Sequence, residues 1–222
     1  MRVAVALSGG RDSAAMLCLA VAQGHDVVAL HVLHPYASPL AVRNAVLVAR
    51  RLGVPLTLLP LDRQLLDRAL DSGFLEMADG ATPWASVCTR CSRLVHKALS
   101  DAASLVQADR VWVGVTATQK GHMAIGPMDY SPPEVWPLDD PLTEDNARRM
   151  MRMKGLGRGL RWSPLLTNCR VNWRIMRECV RAGRPNPYLA YFLAHEANRW
   201  RRRMWRAGFW ALDKVLWLDW RT

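Results

Sequence analysis

Two short elements of this 222-residue chain carry residue types that do chemistry. The first is Ser8-Gly-Gly-Arg-Asp-Ser13. Paired glycines let a backbone turn tightly and approach a ligand with no Cβ in the way. A helix that follows aims unpaired N–H groups and its dipole at the turn, which makes an anion site. Ser8 and Ser13 add hydroxyl donors, and the Asp12 carboxylate could hold Mg²⁺ beside phosphates. The Gly-Lys-Ser/Thr of a Walker loop is missing, as is the third glycine of a dinucleotide fingerprint. The bland alternative is an ordinary strand-to-helix turn capped by Asp12 or Ser13.

The second element is Cys88-Thr-Arg-Cys91, with Cys169 far downstream. Cysteines near a helix N-terminus have depressed pKa values and make good thiolate ligands or nucleophiles. Two at i and i+3 can bite one metal or cluster. Three chemistries stay open on these residues. A structural zinc wants four protein ligands, and His96 or His122 could supply the fourth. A [4Fe–4S] cluster on three cysteines leaves one iron open. A redox or persulfide pair needs no metal. Cys18, on an apolar stretch, reads as core. Cys179 is a reserve ligand and otherwise structural.

These elements need a frame to hold them. Residues 2–8, 26–33, 55–61 and 110–117 read as strands, with a short fifth at 134–138. Residues 12–23, 40–52 and 62–78, and a stretch from the cysteine pair to about 106, read as helices. Strands alternating with helices predict an α/β fold, a mostly parallel sheet flanked by helices. Ligands in such sheets bind beyond the carboxyl ends of the strands. Near residue 140 the pattern changes. Residues 1–140 read as an α/β domain carrying the anion-binding turn, with the Cys-x-x-Cys element inserted. Residues 141–222 read as a basic, Trp-rich helical extension, with seven of the ten tryptophans.

Charge follows the same division. Residues 1–140 carry 12 Lys and Arg against 13 Asp and Glu; residues 141–222 carry 18 against 6. The whole surplus of the net +11 chain therefore sits at one end, and it is mostly arginine. Codon bias explains arginine over lysine but not its confinement. Arg199, Arg201, Arg202 and Arg203 interleave with Trp200 and Trp205. Basic groups neutralise phosphates and aromatics stack on unpaired bases, so nucleic acid is the favoured partner. A core-facing tryptophan stripe or a membrane-surface helix is the alternative. His25, His31, His34 and His195 read as structural rather than as ligands. Five cysteines are too few for a disulfide scaffold, and no apolar run spans a bilayer. A cytoplasmic protein with no membrane partner is expected, and a homodimer stays open.

Ser8-Gly-Gly-Arg-Asp-Ser13 resembles the PP-loop of the ATP pyrophosphatases, the adenine nucleotide alpha hydrolase-like superfamily, over roughly residues 1–140. The resemblance implies a PP-loop nucleotide-binding domain with a PP-loop/HUP-like sheet, ATP cleaved between its α and β phosphates, and adenylation of a carbonyl-type oxygen. It implies that Ser8, Gly9, Gly10 and Ser13 hold pyrophosphate and that Asp12 helps with Mg²⁺. Asp12 and Ser13 would then be catalytic, and Leu30 and His31 would lie against adenine. Cys88-Thr-Arg-Cys91-Ser-Arg-Leu is similar to the Cys-x-x-Cys-Ser-Arg-Leu of the iron–sulfur tRNA cytidine 2-sulfurtransferases. That resemblance implies a [4Fe–4S] cluster on Cys88, Cys91 and Cys169, the last matched by order and approximate distance. Two departures stand out. Those enzymes carry Gly-His-x-x-Asp-Asp after the fourth strand, where this chain has Gly114-Val-Thr-Ala-Thr-Gln-Lys-Gly-His122 with no acidic pair. Pro137-Leu138 matches, but Trp136 replaces the usual preceding arginine.

The expected function is an ATP-dependent sulfurtransferase that replaces a base carbonyl oxygen, in tRNA, by sulfur from a donor such as a cysteine desulfurase. The alternatives are a PP-loop ligase or sulfurtransferase acting on a small molecule or DNA, and a zinc-stabilised nucleic-acid-binding module without catalysis.

Overall fold

The computed structural model describes residues 1–81, 84–116, 130–156 and 170–183. Five parallel strands form one sheet in the order β3-β2-β1-β4-β5. They are β1 (Arg2–Ala6), β2 (Asp26–Leu33), β3 (Leu56–Pro60), β4 (Arg110–Trp112) and β5 (Glu134–Val135). β1 is central, pairing with β2 from Arg2↔Asp26 to Ala6↔Leu30 and with β4 from Val3↔Arg110 to Val5↔Trp112. All five carboxyl ends therefore lie on one edge of the sheet. β3 is an outer strand, half open to solvent, and it ends on Pro60, which has no N–H to offer a further strand.

Side-chain alternation divides the core in two. Val3, Val5 and Leu7 of the first strand region face α1 (Arg11–Ala22), α2 (Pro39–Leu52) and α5 (Pro141–Met153), which contribute Leu17, Val48 and Met151. Ala4 and Ala6, with Val28, Leu30 and Val111, face Leu99, Ala102 and Ala103 of α4 (Thr89–Leu105). Small residues on that side let α4 approach closely. α3 (Arg63–Ala78) packs against α4 and the turn before it. Helix starts are set by side-chain caps: Ser38 on Leu40 N, Asp62 on Leu65 N, and Asp140 on Thr143 N. Cys18 is core, and burial pushes its thiol up to about 11.

The chain divides into two compact units, Met1–Cys169 and Arg170–Thr222. α5 lies beyond residue 140 yet packs along α1 within the first unit. In the second, α6 (Val171–Arg181) buries Val171, Ile175 and Cys179, spaced four apart on one stripe. Cys179 is thus a buried helical residue.

Two strands are shorter than their sequence patterns. The regular part of β4 ends at Trp112; Val113 N–H still donates to the Val135 carbonyl at 3.0 Å, and the backbone then tightens, with Val115 N–H donating to the Val113 carbonyl at 2.9 Å. β5 stops at Val135 because Pro137 cannot donate, and Pro137–Asp139 forms a 3₁₀ turn instead. Where the sheet ends, a buried polar group is fully served. The Glu134 carboxylate accepts from His96 Nδ1 and from Trp136 Nε1, each at 2.5 Å. His96, the nearer alternative zinc ligand, is thereby tied to the core, and Trp136 supplies a neutral donor.

Glu134→Ala strips both buried donors of their acceptor. Breaking a buried pair in this way costs about 3–5 kcal/mol. The denaturant midpoint should fall accordingly; a change of only a few tenths of a kcal/mol would contradict the network's role.

Candidate functional site

The β1–α1 turn is built around a glycine that nothing else can replace. Gly9 has φ +78°, and a Cβ there would lie 2.0 Å from the Ala41 carbonyl oxygen on α2. Buried Asn44 on α2 donates to the Gly9 carbonyl at 3.3 Å, holding the turn from behind. Ser8 Oγ and Ser13 Oγ lie 3.0 Å apart, and Ser13 Oγ donates to the Gly10 carbonyl at 3.0 Å. No side chain caps α1 at Gly10. An uncapped helix start beside two hydroxyls and a backbone with no Cβ is a cradle that fits phosphate oxygens. Asp12 stands in its first turn, so the residues of Ser8–Ser13 come together as one surface. Arg148 of α5 reaches Asp12 Oδ1 with Nη2 at 3.0 Å.

Leu30 and His31 lie at the next strand end. Leu30 is fully buried in the α4-facing core. His31, 3% exposed, has Nδ1 2.7 Å from the Leu7 carbonyl. A carbonyl only accepts, so Nδ1 carries the proton and Nε2 is a bare acceptor. That Nε2 is buried with no hydrogen-bond partner among the described residues. Burial pushes the His31 pKa below its usual value.

The cysteine pair is carried by a wider turn than its sequence shows. The helix begins with a π-helical turn, Trp84–Cys88, that runs directly into α4. Cys88 is therefore already helical, and the pair sits a turn inside the helix rather than at its first residues. π turns recur at functional sites. α3 supports this one closely: a Cβ on Gly73 would stand 2.7 Å from the Val87 Cα, so the contact needs glycine. Arg90, between the two cysteines, pairs with Glu76 of α3. Cys88 and Cys91 are both partly buried and not disulfide-bonded.

His34, placed by its sequence among structural histidines, reaches this pair. Its Nε2 is 3.1 Å from Cys91 Sγ. The Tyr36 backbone N–H donates to its Nδ1 at 3.1 Å, so Nε2 carries the proton and donates to the sulfur. Burial lowers the His34 pKa, which favours this neutral form. The Tyr36 hydroxyl donates to Asp67 of α3 at 2.5 Å and holds the loop in place. His34 follows β2 as the phosphate turn follows β1, so both elements occupy the carboxyl edge of the sheet.

Two thiolates suit a soft metal or a cluster and supply part of a ligand set. Among the described residues no group of three His, Cys, Asp or Glu side chains forms a metal site. Cys169 and His122 lie outside the described residues, as do Arg199, Trp200, Arg201, Arg202, Arg203 and Trp205. No helix among the described residues is long and apolar enough to cross a membrane.

The model of the tRNA methyl transferase HUP domain family matches residues 1–125, more than half of the chain. The chain belongs to this family. Among curated relatives, the tRNA-specific 2-thiouridylase MnmA of Tropheryma whipplei is 31% identical over 141 residues, covering 56% of this chain and 39% of that protein. The same-named protein of Magnetococcus marinus is 29% identical over 158 residues, covering 65% and 42%. The chain thus spans well under half the length of these relatives. Among solved structures, the U34-tRNA thiolase NcsA from Methanococcus maripaludis with its [4Fe–4S] cluster superposes with a TM-score of 0.53. It is 17% identical, and the match covers 89% of this chain and 72% of that one. The NMN synthetase from Francisella tularensis gives 0.51 at 20% identity over 70% and 61%. These two likenesses show the shared fold, and the PP-loop superfamily read from Ser8–Ser13 stands.

The depressed His31 pKa has a consequence for stability. Above its ordinary value of 6.5 both folded and unfolded chains hold it neutral. As pH falls below 6.5, the unfolded chain takes the proton first, so stability is lost until the folded group also titrates. The loss approaches about 1.4 kcal/mol per pH unit for one such group. His31→Gln keeps a donor for the Leu7 carbonyl and should flatten the acid side of stability against pH. An unchanged acid slope in that variant would contradict the assignment.

Proposed function

We propose that this protein is a tRNA sulfurtransferase that activates a base carbonyl with ATP and replaces its oxygen by sulfur. The observation that carries the reading is the placement of the phosphate cradle after β1 and the cysteine pair, touched by His34 after β2, on one edge of one sheet. Family membership supports it, as do relatives named as tRNA 2-thiouridylases and a tRNA thiolase of the same fold.

In this reading the amides of Gly9, Gly10 and the α1 start, with Ser8 and Ser13, hold the β and γ phosphates. Asp12 holds Mg²⁺, which supplies positive charge beside the phosphates when bound. The adenine lies over the end of β2, near Leu30 and His31. The base oxygen attacks the α phosphorus and pyrophosphate leaves. Sulfide sulfur then bonds to the base carbon, the carbon–oxygen bond to AMP breaks, and the sulfur's proton is lost to give the thiocarbonyl. Cys88, Cys91 and Cys169 would hold a [4Fe–4S] cluster, which when bound supplies sulfide at an iron that no protein ligand occupies. The His34 Nε2–H stabilises negative charge on Cys91. That contact also supports a second reading without a cluster, in which a persulfide-bearing donor of the cysteine desulfurase type passes its outer sulfur to the Cys91 thiolate. That sulfur bonds to the base carbon as AMP leaves. The Cys88 thiolate then attacks Cys91 Sγ so that the sulfur departs as the thiocarbonyl, and an external thiol reduces the Cys88–Cys91 disulfide. Arg199, Arg201, Arg202 and Arg203, with Trp200 and Trp205, would hold the tRNA by phosphate neutralisation and stacking. A cysteine desulfurase-type donor and a cytoplasmic setting complete the proposal.

Protein purified without oxygen should be incubated with ATP, Mg²⁺, unmodified tRNA, a thiol reductant and either labelled sulfide or a cysteine desulfurase with labelled cysteine, and the digested nucleosides analysed by mass spectrometry. A thiolated nucleoside is expected. Cys91→Ala should reduce it at least 100-fold, and Cys18→Ala should leave it unchanged. In the cluster form, iron and broad absorption near 400 nm accompany activity and vanish in Cys88→Ala and Cys169→Ala, whereas the persulfide form works without iron. No thionucleoside from any tRNA pool under either condition would overturn the proposal.

A further inference from the structure

A charged contact at the phosphate turn comes from far along the chain. Arg148 sits on α5, which packs along α1 through Ala147 and Met151. Its Nη2 donates to Asp12 Oδ1 at 3.0 Å and to Glu144 Oε1 at 2.5 Å. The guanidinium is mostly buried, with the side chain 28% exposed, and its Nε is enclosed with no hydrogen-bond partner among the described residues. Arg11 approaches the same Asp12 oxygen only to 3.7 Å from a half-exposed position. Trp136 donates to Glu134 and brings no charge.

A buried N–H without an acceptor is costly unless something else comes to take it. A guanidinium presents five donors in a planar fork that matches phosphate oxygens, and here one nitrogen serves both carboxylates. The Asp12 carboxylate, in turn, cannot lie against Arg148 and also give its full charge to Mg²⁺.

We propose that Arg148 is a phosphate-binding residue of the nucleotide site, held on Asp12 until Mg²⁺ and nucleotide arrive. Mg²⁺ takes the Asp12 carboxylate, and the released guanidinium takes the β and γ phosphate oxygens, with Glu144 keeping it close to the turn. The exchange leaves every charge paired before and after. It makes metal and nucleotide bind together, because each removes the partner that occupies the other's ligand. This inference rests on the nucleotide reading above.

The test is calorimetric binding of inorganic pyrophosphate, ATP and adenosine to the full chain, with Mg²⁺ and with EDTA. Loss of a charged hydrogen-bond donor predicts that Arg148→Ala weakens Mg-pyrophosphate and Mg-ATP about 10- to 100-fold. Adenosine affinity should not change, and Arg148→Lys should recover part of the loss. In EDTA, Asp12→Asn frees the guanidinium and should tighten pyrophosphate several-fold; that gain should vanish in the Asp12→Asn, Arg148→Ala double variant. A side chain that merely braces α5 against α1 predicts neither result. Arg148→Gln keeps the aliphatic stem against α1 without the charge and carries the same forecast if the alanine variant does not fold. Wild-type pyrophosphate affinity in Arg148→Ala, or a gain from Asp12→Asn that persists without Arg148, would overturn the inference. A wild-type protein that binds neither ATP nor pyrophosphate with Mg²⁺ would overturn the nucleotide reading itself.

Discussion

A Cβ at Gly9 would meet the Ala41 carbonyl oxygen at 2.0 Å. The β1–α1 turn can therefore close against α2 only with glycine at this point, and the rest of the carboxyl edge depends on that closure. It sets the start of α1 so that an uncapped helix end, two hydroxyls and Asp12 share one surface. It also fixes Leu7, whose carbonyl selects the tautomer of His31 on the next strand. A parallel sheet then adds its own constraint: every strand delivers its loop to the same edge, so the loops after β1 and β2 must be neighbours.

The second half of the site is positioned by helices rather than by the sheet. The small residues Ala102 and Ala103 let α4 lie on the sheet, and Gly73 lets α3 press against the π turn that leads into Cys88. The Arg90–Glu76 pair, being exposed, adds register more than stability. His34 then links the cysteine helix to the end of β2. The Ser8–Ser13 turn and the cysteine pair are thus carried by separate packing layers on opposite faces of one sheet.

Much of this was legible in the sequence, for identifiable reasons. The phosphate turn is readable because its chemistry is local: glycine, hydroxyl and carboxylate lie within six consecutive residues. The strand and helix boundaries of β1 through α3 follow from alternation, caps and Gly53, and the structure moves them by only a residue or two. The pairings of His34 with Cys91 and Arg148 with Asp12 are different. They span 57 and 136 positions, and no periodicity or motif marks either partner. The π turn was hidden because a helix with one inserted residue has the same composition as one without. The end of β4 is not legible because its apolar run continues to Val115, whereas the backbone turns away once Val113 has bonded to Val135.

In the proposed function the Ser8–Ser13 cradle splits ATP between its α and β phosphates when an acceptor base is present. The most direct measurement is the product pattern from α-labelled and γ-labelled ATP incubated with the protein, Mg²⁺, sulfide and unmodified tRNA. AMP and pyrophosphate, formed in amounts that match thionucleoside and lost in Asp12→Asn, are the predicted result. ADP and orthophosphate, or AMP release that ignores tRNA, would contradict it.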